Sequence, residues 1–296
     1  MPTPGGRQIG LAHLTVLDST PSALVECAAE AGYDFVGIRV RPATREEVAY
    51  DLRPGSRMLR ETQLRLADTG IGVKDVEFLL LDGQDRREDW LPMLEAGRAL
   101  GASTLTVAVS DRDAGRVHEA LARLAEDGRD HGITPTVEPI SYQAVRTVPQ
   151  ALEAARASGC DVLLDTLHLA RAGCEPADLV AVASHLPMIQ LADAPAESPG
   201  DRDALIQEAR SGRLAPGEGA LDVAETVALL GEALASGPRS SAPLPVSIEV
   251  PGLSTRGAMD PTAWARRLLK ATEKVLCPAR PRTQDKDAAT AKEPVA

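Results

Sequence analysis

Along this chain, hydrophobic and polar positions repeat as one unit. A short run rich in Val, Ile and Leu is followed by a longer Ala- and Leu-rich stretch of helical period. The apolar runs predict strands at 9–16 (IGLAHLTV), 35–40 (FVGIRV), 73–81, 104–109, 134–140, 161–166, 187–193 and 245–250. Helices are predicted at 20–32, 57–70, 89–102, 114–132, 148–159, 175–185, 221–237 and 260–276. Thr20-Pro21 and Asp260-Pro261 read as an N-cap followed by Pro in the first turn, and several helices close on glycine. Strands that are apolar throughout are buried on both faces, as in a parallel sheet covered by helices. Eight such units in about 265 residues match a single (β/α)8 TIM barrel in count and size. It is predicted to span 9–277, after a short extension at 1–8 and before a tail at 278–296 with the composition of a disordered end. A doubly wound open sheet also permits the alternation, but neither GxGxxG nor GxxxxGK[ST] occurs. One segment departs from the repeat. Residues 194–220 form a Pro-, Gly- and charge-rich excursion after the seventh strand, long enough to suggest a functional loop.

Composition narrows the setting. With 296 residues and 44% hydrophobic content, the chain can bury a core without a disulfide or metal staple. A net charge of −11 argues against nucleic acid as a partner, since phosphate binding needs a concentrated basic face. No apolar run approaches the ~20 residues of a membrane span. The start MPTPGGRQIG lacks a signal-peptide core, and the four cysteines form no CxxC pair, so a reducing, cytoplasmic setting is expected. A homo-oligomer is compatible with all of this.

Candidate chemistry lies at the ends of the apolar runs. In a barrel, polar groups at the C-terminal ends of strands face the active site. Glu138 (TVEPI), Asp165 (LLDTLH), Gln190 (MIQLAD) and Glu249 (SIEVP) hold such positions on strands five to eight, neighbours around the ring. Any one of them alone reads as an acid or amide capping the next helix. Together they read as a site for one divalent cation, because three clustered buried carboxylates repel one another. An oxygen-only set suits Mn²⁺ or Mg²⁺ better than Zn²⁺. His168 follows Asp165 by three and is expected either to touch substrate beside the metal or to cap a helix. His13 either lines the barrel mouth or is a packed histidine. Arg210 and Arg213, in EARSGRLAPGEG, either hold the anionic end of a substrate or form a solvated helix face. Glu77 either contacts substrate or pairs with an arginine, and Glu218 in the PGEG turn is expected to be structural.

Four stretches carry a family resemblance: VEPISYQAVRTVPQAL, LLDTLHLARAG, IQLADAP with EARSGRLAPGEGALD, and SIEVP. They resemble the xylose isomerase-like barrel superfamily, and within it the sugar phosphate isomerase/epimerase group, over about residues 9–276. The resemblance implies one divalent metal on Glu138, Asp165, Gln190 and Glu249. It also implies that the two glutamates face the substrate from opposite sides, and that His168 completes a D-x-x-H pattern with Asp165. Many members have His where this chain has Gln190. Gln is familiar in the branch with QLADAP, which includes proteins similar to 3-dehydroshikimate dehydratase. The implied activity is metal-dependent isomerisation or epimerisation of a keto-sugar, its phosphate, or another polyhydroxylated small molecule through an enediolate, with Glu138, Glu249 and His168 catalytic. The alternative is a dehydratase, in which the enolate expels a β-hydroxyl. Less favoured is a sugar-binding barrel without turnover, which would have no need of an intact ligand set. The superfamily's apurinic-site endonucleases resemble a tri-zinc design with extra histidines that this chain lacks.

Overall fold

The computed structural model describes residues 6–236, 242–251, 256–257 and 259–276. The expected tail at 278–296 and most of the N-terminal extension lie outside these residues. The described strands are β1 (Ile9–Ala12), β2 (Phe35–Arg39), β3 (Gly72–Leu81), β4 (Thr104–Val109), β5 (Thr134–Val137), β6 (Asp161–Val162), β7 (Leu164–Asp165), β8 (Ile189–Leu191) and β9 (Val246–Ile248). Every pair is parallel, in the order β6-β5-β4-β3-β2-β1-β9-β8-β7. The two edge strands flank Leu163 in the chain and are the halves of the predicted sixth strand. The ring therefore closes through the backbone itself, and the protein is a single TIM barrel.

The covering helices are α1 (Pro21–Ala31), α2 (Arg57–Thr69), α3 (Arg87–Leu100), α4 (Ala114–His131), α5 (Val148–Ser158), α6 (Thr166–Ala172), α7 (Pro176–Val182), α8 (Arg202–Gln207), α9 (Val223–Ala235) and α10 (Pro261–Leu276). Local chemistry starts and stops them as expected. The Thr20 hydroxyl accepts from the Ala23 amide, and Gly32 ends α1 at φ 100°, in the left-handed region. Trp90 on α3 and Trp264 on α10 are buried against the barrel, each large apolar side chain contributing roughly 1.5–3 kcal/mol. Tyr33, just after α1, donates to the Ala265 carbonyl at 2.8 Å, so the last helix docks on the first.

Three departures from the sequence reading bear on the site. The first strand stops at Ala12 and continues as a 3-10 turn, His13–Val16. There Thr15 takes over the strand's hydrogen bonding, donating to the Ile248 carbonyl and accepting from the Val250 amide. A short extra helix, α6, follows Asp165 directly, its first amides bonded by that carboxylate. The 194–220 excursion is ordered rather than open. It contains α8, a π-turn at Glu208–Gly212 and an antiparallel bridge between Asp193 and Leu214. The Asp193 carboxylate ties this segment down by accepting from the amides of Ala194, Gly217 and Leu221. Gly219 is required there, because a Cβ would lie 2.3 Å from Asp193 Oδ1 and 2.4 Å from the Ala194 carbonyl.

Candidate active site

A cavity of about 440 Å³ opens at the C-terminal ends of the strands. Glu138, His168, Gln190, Arg210, Arg213 and Glu249 all line it. Asp165 lies immediately behind, fully buried. Glu138 and Glu249 stand one residue beyond the ends of β5 and β9, and Gln190 stands within β8. The four strand-end positions are thus gathered around one space.

The contacts refine their roles. Asp165 Oδ1 accepts from the amides of Leu167 and His168 at 2.7 and 3.3 Å, so it does cap a helix. Its other oxygen, Oδ2, meets Arg213 Nη1 at 2.5 Å. The same Nη1 is 3.0 Å from Glu249 Oε2 and 3.1 Å from the Glu249 carbonyl, while Arg213 Nε donates to the Ala209 carbonyl. Arg213, 2% exposed, is no solvated helix residue. It is a buried guanidinium held between two of the expected metal ligands. Gln190 Nε2 donates to Glu249 Oε1 at 3.0 Å, and Gln190 Oε1 is buried with no partner. No hydrogen bond or ion pair reaches the Glu138 carboxylate among the described residues.

Electrostatics follow from this packing. Burial, then the negative charges of Glu249 and Asp165, push the Glu138 carboxyl well above the usual carboxylate range. Burial raises Glu249 to about 7; Arg213 opposes this, and Glu77 and Asp165 add to it. Asp165 goes the other way. Burial would raise it, but Arg213, His168 and the helix amides together hold it below its ordinary value. His168 is driven down to about 4 by burial against the pull of Asp165, so its ring is neutral at pH 7. Its Nδ1 lies 3.2 Å from the Ser141 hydroxyl, and Tyr142 packs edge-on against it at 5.5 Å between ring centres.

The other predicted residues divide. Arg210 is exposed at the cavity rim. His13 does not line the cavity. Its Nε2 lies 2.9 Å from the Ser19 carbonyl and its Nδ1 accepts from the Arg39 amide, so it is the packed histidine of the two readings. Glu77 lies within β3 rather than at its end, and pairs with Arg39 at 3.0 Å. Glu218 is exposed and pairs with Arg267, in keeping with a structural role. Arg39, Phe78, Tyr142 and the rim residues Glu46 and Glu47 line the cavity without having been singled out from the sequence. Arg39 was within reach of the same rule, since it is the last residue of β2, in the run FVGIRV.

The donor chemistry suits a hard divalent cation. It is oxygen-only, gathers three carboxyl groups around one guanidinium and includes an amide oxygen with no partner. Among the described residues, no group of three or more Asp, Glu, His or Cys side chains is arranged to hold a metal ion. The cation that pairs with both Asp165 and Glu249 in this structure is Arg213.

Comparison with known proteins agrees with this architecture. Residues 25–271 match the xylose isomerase-like TIM barrel family, and the chain belongs to it. No curated protein sequence matches the chain. Among solved structures, IolI protein with a bound zinc atom superposes with a TM-score of 0.73 at 16% identity, covering 91% of this chain and 98% of that one. The D-allulose 3-epimerase of a Methylomonas species, in complex with D-allulose, gives 0.66 at 16% identity over 93% and 99%. The probable 3-DHS dehydratase AsbF of Bacillus anthracis, involved in petrobactin synthesis, gives 0.67 at 14% identity over 92% and 100%. At these identities the likenesses establish the shared fold.

Proposed function

We propose that the protein is an isomerase or epimerase of keto-sugars or similar polyhydroxylated molecules, working by proton transfer at the carbon next to a carbonyl. The observation that carries this reading is the pair of buried glutamates, Glu138 and Glu249, with raised proton affinities in one cavity. Glu249, at about 7, is suited to take up a proton and give it back at pH 7, and burial shifts Glu138 in the same direction. In the forward direction one glutamate removes the proton from carbon, leaving an enediolate, and the other returns a proton to the same or the adjacent carbon. Arg213 offsets the negative charge that builds up beside Glu249. The neutral His168 ring and the rim guanidinium of Arg210 are available to hydrogen-bond substrate hydroxyls.

Glu138, Asp165, Gln190 and Glu249 would hold one divalent cation, with Mn²⁺ or Mg²⁺ favoured over Zn²⁺ by the oxygen-only donors. Such an ion supplies Lewis-acid polarisation of the substrate carbonyl. The likeness to the epimerase with bound D-allulose supports a sugar substrate, and the zinc-bound IolI structure supports a metal. The free thiols of Cys27, Cys160 and Cys174 support a cytoplasmic location. Among the described residues no helix is long and apolar enough to cross a membrane.

A second reading uses the same base and differs only in outcome: the enolate expels a β-hydroxyl and water is lost. Gln190 within QLADAP and the fold likeness to the probable dehydratase favour it. NMR in D₂O separates the two, using Mn²⁺-loaded protein with a panel of keto-sugars and dehydroshikimate. Deuterium incorporation without water loss supports the isomerase, and water loss supports the lyase. Neither exchange nor water loss with any member of the panel overturns both.

A further inference from the structure

Resting on the proton-transfer reading above, we propose that the cavity takes an uncharged polyhydroxylated carbonyl compound and excludes substrates bearing a phosphate or carboxylate. The balance of acidic and basic groups is the first observation. Among the described residues, the inner cavity and the layer directly beneath it hold five buried carboxylates, Asp75, Glu77, Glu138, Asp165 and Glu249, against two buried guanidiniums, Arg39 and Arg213. Burial, then the charges of Glu77 and Glu249, push Asp75 well above the usual carboxylate range, so the other four acids, the two arginines and one divalent cation would sum to no positive surplus. At the rim, Glu46 and Glu47 outnumber Arg210. An anion entering this space loses water at low dielectric and finds no surplus positive charge to offset that cost.

The second observation is that the buried anion receptors are engaged by the chain's own carboxylates, which leaves only the exposed Arg210 at the rim uncommitted. A guanidinium recognises phosphate or carboxylate through a free fork of donors. Arg213 gives Nη1 to Asp165 and Glu249 and Nε to the Ala209 carbonyl. Arg39 gives Nη2 to Glu77 and Nη1 to Glu47, and its Nε is buried without a partner. Freeing either arginine would strand a buried carboxylate. Barrels of this kind often bind phosphate with the loops after the seventh and eighth strands and a helix N-terminus there. Here the Asp193 carboxylate occupies the amides of Ala194, Gly217 and Leu221 after β8. After β9, the Asp260 carboxylate occupies the first amides of α10, those of Thr262 and Ala263. In sequence, 252–255 and 258 add no cation. A carboxylate-rich wall is rich in acceptors, and the hydroxyl donors of a neutral polyol match it.

The test is calorimetric binding to Mn²⁺-loaded wild type of matched probes, the 2-ketohexoses against their 6-phosphates, with 3-dehydroshikimate as a carboxylate probe. Solvent deuterium exchange is read in parallel. The neutral member of at least one pair is expected to bind at least ~10-fold more tightly than its phosphate and to exchange, with dehydroshikimate failing to compete. Tighter binding of a phosphate or of dehydroshikimate overturns the proposal, and exchange in that ligand leaves the proton-transfer reading standing. Binding and exchange by none of the probes overturns that reading and the proposal with it. Glu47→Gln partly frees Arg39 and is expected to raise 6-phosphate affinity about 5-fold or more. An unchanged preference in this variant, with the protein folded, overturns the assignment of selectivity to committed arginines.

Discussion

Two buried arginines flank the cavity, and they reach it by different routes. Arg39 ends β2 and stands opposite Glu77 in the parallel register with β3, so their ion pair follows from the strand ladder. Arg213 meets Asp165 from 48 residues away in the chain. That contact depends on the excursion after β8 folding back through the Asp193–Leu214 bridge. The first pair belongs to the barrel wall, while the second belongs to the site and can respond to what enters it. A guanidinium placed by a folded loop between two acids on different strands is the more informative of the two. It says that this side of the cavity is where positive charge is wanted.

The largest contrast is expected in catalysis. Glu249→Gln removes a proton-transfer group and should lower kcat by ~10²–10⁴ with Mn²⁺ saturating, whereas Glu77→Gln on the other flank should stay within about tenfold. Equal losses in a steady-state assay would place the chemistry on both flanks. Stability comes next. Asp165→Ala leaves Arg213 short of a partner and uncaps α6, so urea unfolding should register a cost of about 3–5 kcal/mol, more than for Glu77→Ala.

Metal should act on one flank only. Mn²⁺ at about 100 times its dissociation constant should stabilise the protein by ~2.7 kcal/mol. Asp165→Ala should abolish this, and Glu77→Gln should not. A melting temperature indifferent to EDTA and to Mn²⁺ would remove the metal from the proposal. Arg213→Ala should lower kcat/KM by roughly 10- to 150-fold, the value of a charge-assisted contact, and exposed Arg210→Ala by less. The reverse order would move substrate contact to the rim.

The remaining contrast is a pH trend in the metal-free protein. Burial first, with Glu77 and Asp165, lifts the folded-state pKa of Glu249 from 4.5 to about 7, despite Arg213. The folded chain therefore keeps a proton that the unfolded chain releases. The stabilisation this gives is complete below about pH 4.5 and is lost as pH rises through 7. Glu249→Gln does not titrate, so its stability relative to wild type should improve steadily from pH 5 to pH 8. A difference independent of pH would mean that Glu249 is already ionised at pH 5.

Much of this architecture is legible in the chain because its signals are local. Apolar runs and helical spacing repeat within a few residues, and caps such as Thr20 and Asp260 sit beside the helices they start. The rule that polar groups at strand ends face the barrel mouth then selects Glu138, Asp165, Gln190 and Glu249 without any knowledge of their contacts. It reaches Arg39 as well, had it been applied to an arginine. Only tertiary structure decided that Arg213 lies buried between Asp165 and Glu249, that His13 is spent on Ser19 and Arg39, and that Asp193 and Asp260 fill the amide sites a phosphate would use. Each of these depends on where a loop returns after many residues. The return is set by long-range hydrogen bonds and the cost of leaving buried charge unpaired, neither of which leaves a periodic trace in the sequence.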